Sequence, residues 1–147
     1  LNLFGENTRD ELRQAYSDAW RKQLEGLPLT PLEAMIAGVI GLHPEYQSLV
    51  RDPAKALAHE PAGAPALENP FLHMGLHMAV REQISIDRPP GVRALRSQLA
   101  VRFGETHHAE HLLMEALAET LWEAQRNGRP PDEVRYLALA RQKLAQG

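Results

Sequence analysis

Apolar residues recur in this chain at three- and four-residue intervals, interrupted by proline, glycine and cap-forming residues. That period belongs to amphipathic helices, and no segment shows the two-residue alternation of a strand. "TRDE" at Thr8 to Glu11 has the form of a capping box and opens a helix reaching about Gly26. "TPLE" at Thr30 to Glu33 repeats the device with Pro31 at the first helical position, and that helix fades near Gly41. Short helical pieces follow Pro44 and Pro53, and residues 58–69, rich in Ala, Pro and Gly, read as a linker.

Beyond the linker the punctuation is clearer. Asn69 caps a helix begun by Pro70, and "RPPG" at Arg88 to Gly91 turns the chain into a helix ending at Gly104. The inward stripe of that second helix is Val92, Leu95, Leu99 and Phe103. Thr106 caps a long helix that ends at Gly128, and "RPP" at Arg129 to Pro131 starts the last one, with Val134, Leu137 and Leu144 inward. "RPPGVRAL" and "RPPDEVRYLAL" are alike, so residues 70–147 are expected to form two helical hairpins of similar design. The fold class is therefore all-α. Residues 1–147 are expected to form a single domain, a compact helical bundle of about six or seven helices built largely from helical hairpins, with the N-terminal helices in 1–57.

Composition narrows the function classes. A chain of 147 residues, 44% hydrophobic and 24% charged, can bury a core without staples. The absence of cysteine removes disulfides, thiolate metal sites and cysteine nucleophiles, and fits a cytoplasmic setting. A net charge of −3 gives no basic footprint for nucleic acid or anionic lipid. The longest apolar run, Ala34 to Leu42, is too short to cross a bilayer, and no signal peptide is evident. Leu1 in place of a start methionine implies a trimmed N-terminus.

The candidate chemistry lies in histidines at helical spacing. On the helix after Asn69, Leu72, Leu76, Val80 and Ile84 share a face with His73 and His77, which are four apart. On the helix from Thr106, Leu113, Leu117, Leu121 and Met114 make an aliphatic arc, and beside it lies a second arc of His111, Glu115, Ala118 and Trp122. Trp122 is expected to be covered, as an indole usually is. Two i,i+4 pairs on buried flanks, His73 with His77 and His111 with Glu115, suit a transition metal, with zinc or iron foremost. The competing reading makes these residues a structural hydrogen-bond network in a protein-interaction module. His107 and His108 read as an exposed first turn, His43 as a helix N-terminus residue, and Glu110 as an acid favoured by the positive helix end. Arg81 is expected to pair with Glu115 or Glu119, or to lie at the surface. Arg88, Arg93, Arg96 and Arg102 read as a solvated basic face. Because the helix after Asn69 is apolar nearly all round, a homodimer is favoured, with Met74 and Met78 at its seam.

"TPLEA", "HPEYQSLV", "NPFLHMGLHMAVREQISIDRPPGVRA" and "EHLLMEALAETLWEAQRNGRPPD", taken in order, resemble a bacterial family of unknown function (domain of unknown function 1841). The resemblance runs from about Leu3 to Ala140 and implies a small intracellular all-helical protein. It implies no activity. His73, His77, Arg81, Glu82, Glu110, His111, Glu115, Trp122 and Glu123 fall within its motif blocks, and their candidate roles rest on spacing and chemistry.

Overall fold

The computed structural model describes residues 9–58 and 70–146, and every regular element there is helical. The helices are α1 (Arg9–Glu25), α2 (Pro31–Gly41), α3 (Pro44–Arg51), α4 (Pro53–Ala58), α5 (Pro70–Ile86), α6 (Val92–Phe103), α7 (Thr106–Asn127) and α8 (Glu133–Gln146). The described residues thus hold eight helices against an expected six or seven, because the pieces after Pro44 and Pro53 are separate elements. The cap expected at Thr8, that expected at Asn69, and the linker from residue 59 onward lie outside the described residues. No described helix is long and apolar enough to cross a membrane. The chain divides into two compact units, 1–78 and 79–147, with the division inside α5.

In the first unit, α1 packs against α2, α3 and α4. The capping box at α2 forms as expected. Thr30 Oγ1 accepts from the Glu33 amide at 3.1 Å, and Glu33 Oε1 accepts from the Thr30 amide at 2.9 Å. The other Glu33 oxygen takes Lys22 Nζ at 2.6 Å, tying the end of α1 to the start of α2. Tyr16 and Trp20 of α1, Ile36, Val39 and Ile40 of α2, Val50 of α3 and Phe71, Met74 and Met78 of α5 make the core. Arg13 is buried among them. Its guanidinium lies 4.2 Å over the Phe71 ring and donates to the Ala56 carbonyl at 3.1 Å, so the charge is offset rather than stranded. Met74 and Met78 are buried within the chain, which removes the exposed methionine face on which the homodimer expectation was founded.

In the second unit, α6, α7 and α8 pack mutually. The two "RPP" turns have one feature in common. Asp87 Oδ1 accepts from the amides of Gly91 and Arg93, and Asp132 Oδ1 accepts from those of Val134 and Arg135, so each turn carries an acid that caps the following helix. The arginine after each valine then reaches back. Arg93 donates to the carbonyls of Ile84 at 2.9 Å and Ser85 at 2.7 Å, which α5 leaves without helical partners. Arg135 instead meets the Glu123 carboxylate of α7 through two bonds, at 3.2 and 3.1 Å. Arg93 is therefore no mere member of a solvated basic face.

Val92, Leu95 and Leu99 are buried as expected, while Phe103 is half-buried. Thr106 is the first residue of α7 and Glu105 its cap. Two expectations fail. Trp122 is 57% exposed with the Arg126 guanidinium 4.3 Å above its ring, because it lies roughly 140° around the helix from buried Leu117. Val134 is exposed in the first turn of α8, whose inward arc starts at Tyr136 and Leu137.

Two stability measurements follow from this packing. A methyl group at Gly75, in the middle of α5, would meet Tyr16 Oη at an ordinary 3.6 Å. Gly75→Ala is therefore expected to raise stability by about 0.5–1 kcal/mol in urea denaturation, since it removes backbone entropy from the unfolded chain at no steric cost. A loss of stability would show that this face cannot take a methyl. Burial also pushes the Tyr16 hydroxyl up to about 12. The folded state then holds the neutral phenol while the unfolded chain ionises from its ordinary value near 10. The contribution is present below that value and is lost as pH rises toward about 12. Tyr16→Phe should flatten the alkaline fall in stability over that range, and an unchanged slope would show that Tyr16 does not cause it.

Candidate metal centre

His43 sits at the cap position before α3, with φ −127° and ψ 77°, yet its side chain does not cap that helix. The ring turns inward, and Nδ1 lies 2.7 Å from the Val39 carbonyl near the end of α2. A carbonyl only accepts, so Nδ1 carries the proton and Nε2 keeps its lone pair. His73 Nε2 is 3.0 Å from that same His43 Nε2, which makes His73 the donor. His77, one turn further along α5, is fully buried, with its ring centre 5.4 Å from His43 and 6.2 Å from His73. Tyr46 stacks on His43 at 5.1 Å and meets the edge of His73 at 5.7 Å. Burial raises the Tyr46 phenol above its ordinary range, with the charge of Glu45 adding to the effect.

On α7 the i,i+4 pair His107 and His111 brings two Nε2 atoms to 2.7 Å, with the rings nearly perpendicular. Between them in sequence, Glu110 is buried and takes two arginines: Arg81 Nε at 3.1 Å and Arg96 Nη1 at 3.4 Å. Arg81 thus pairs with Glu110 rather than with Glu115 or Glu119, and Glu110 serves a buried ion-pair network rather than only the helix end. His108 is exposed, with its ring 5.5 Å from Phe103.

His43, His73 and His77 gather in the first unit, with ring centres 4.7, 5.4 and 6.2 Å apart, and His107 with His111 in the second; ring nitrogens of this kind could hold a metal ion. Of the residues singled out in the sequence, His73 and His77 stand in the first gathering and His111 in the second. Glu115 is half-exposed, and its carboxylate takes Lys143 Nζ at 2.7 Å. The two additions, His43 and His107, were set aside in the sequence. His107 had a signal, since "HHAEH" repeats the His-x3-His spacing of His73 and His77. His43 had none, because its partner is a backbone carbonyl and its helix is remote in sequence.

The donors are chemically uniform. Imidazole nitrogen suits zinc, iron, nickel and copper and is poorly matched to calcium or magnesium.

Fold and site together define an all-α protein with histidine nitrogens gathered as a candidate metal centre. The family model described as "Domain of unknown function (DUF1841)" matches residues 8–142, and the chain belongs to that family. No curated protein and no solved structure matches it.

The Glu110 cluster yields a direct test. Glu110→Gln leaves Arg81 and Arg96 facing a neutral amide, and is expected to cost about 1–3 kcal/mol of stability in urea denaturation. A change within about 0.5 kcal/mol would place this carboxylate among ordinary surface positions.

Proposed function

We propose that this protein binds a divalent transition-metal ion through ring nitrogens of His43, His73 and His77. The observation that carries the reading is the gathering of three imidazoles from α5 and the cap before α3, with ring centres 4.7, 5.4 and 6.2 Å apart. A further feature supports it. The bond from His43 Nδ1 to Val39 fixes the tautomer that offers Nε2, as outer-sphere carbonyls do for metal-binding histidines. His73 joins as a ligand once the proton it gives to His43 leaves. A cytoplasmic setting belongs to the same proposal, supported by a chain with no cysteine.

The test is elemental analysis of untagged protein, stripped by chelator and exposed in turn to zinc, iron, nickel and copper. About one ion per chain is expected. His77→Ala should weaken binding by more than the roughly 10–100-fold that loss of an outer-sphere partner costs, with the helical circular dichroism retained. Protein that stays metal-free with every ion, or a His43→Ala, His77→Ala double variant that holds as much metal as the parent, overturns the reading. The second outcome, joined to lowered stability, would assign the histidines to a structural hydrogen-bond network.

A further inference from the structure

We infer that His107 and His111 of α7 chelate a divalent transition-metal ion of their own, copper(II) foremost, separate from the ion assigned to the three histidines of the first unit. The two residues stand four apart in the first two turns of α7, a spacing that sets their side chains one above the other on a helix face. Their Nε2 atoms lie 2.7 Å apart, with ring centres at 4.2 Å and ring planes at 77°. The lone pair of one ring therefore faces the proton of the other. When that proton moves to solvent or to the far nitrogen of its own ring, two donors converge on one point, as a chelate requires.

The surroundings decide what kind of site this is. Both rings are half-buried, so water reaches them and completes the coordination that two imidazoles leave open. Affinity at such a nitrogen and oxygen site rises toward copper and falls again at zinc. His107 lies in the first turn, where the positive helix end opposes a cation. That penalty fades within a turn, and the cap residue, Glu105, carries the opposite charge. His107, Glu110 and His111 also stand in the order His-x2-Glu-His, found in zinc hydrolases whose glutamate takes a proton from water. Glu110 does not fit that part. It is buried and already accepts from Arg81 at 3.1 Å and Arg96 at 3.4 Å, both in the second unit. The pair is accordingly a site for reversible binding rather than for hydrolysis.

The experiment titrates the whole chain with copper(II) and follows visible absorption and electron paramagnetic resonance, which report nitrogen ligands. A half-buried site with two protein ligands releases its ion on desalting, so it fills only while free copper is present. The ion counted in desalted protein belongs to the three-histidine site. His107→Ala and His111→Ala are each expected to weaken the titrated equivalent roughly tenfold or more, since a chelate becomes a single imidazole. His111→Gln stands in where the alanine variant fails to fold. His108→Ala, which removes an exposed imidazole 5.5 Å from Phe103, should leave the titration unchanged. Uptake that neither His107→Ala nor His111→Ala moves, or that His108→Ala lowers equally, places copper on surface imidazoles at large and overturns the inference. A single equivalent lost alike from His77→Ala and His111→Ala also overturns it, because one ion then serves both groups. Desalted protein that is metal-free yet still titrates as expected overturns the three-histidine reading and leaves this one standing.

Discussion

A helix that is apolar nearly all round must be covered on every side, and α5 imposes that requirement on the rest of the chain. Phe71, Met74 and Met78 enter the core formed with α1, α2, α3 and α4. Val80 and Ile84 are buried further along, where Gln83 accepts from the Tyr136 hydroxyl at 2.7 Å and Arg81 meets Glu110. Each polar residue that α5 carries inward must therefore find a partner on another element. His73 finds His43, and Arg81 finds a carboxylate two helices on. The same demand explains why polar chemistry collects around this helix: it is the element least able to turn a polar side chain to water.

Much of the fold could be read from residue pattern alone, because its signals are local. Thr30 to Glu33 caps α2 through bonds spanning three residues, and the stripe Val92, Leu95 and Leu99 follows from helical period. Trp122 shows the limit of such reasoning. Residue type suggested burial, yet helix rotation turned the indole outward, where a guanidinium and the bulk of solvent share its faces. Period tells which side chains share an arc and not how wide an arc the neighbours cover.

The candidate site was legible only in part, for a related reason. His77 and His111 stand on apolar flanks, and a costly residue in an apolar stripe attracts notice. His107 shares the spacing of His111 but was discounted as a first-turn residue, although a first turn is exposed only where nothing packs over it. His43 depends on a contact with the Val39 carbonyl, a group that sequence cannot label because every residue owns one. Glu110 was likewise assigned to the helix end, since its two arginines lie fourteen and twenty-nine residues away.

The two bonds from Arg93 to the last carbonyls of α5 bear on how this region opens. Helix ends ordinarily fray first, one residue at a time, because water replaces the lost partners. Here the end of α5 is stapled by a side chain rooted in the first turn of α6, and the Asp87 carboxylate in turn holds that turn through the Arg93 amide. Loosening one helix end thus requires the next helix to let go as well. Amide exchange in this stretch should accordingly proceed as a cooperative unit, with the hairpin rather than the single residue as the element that opens.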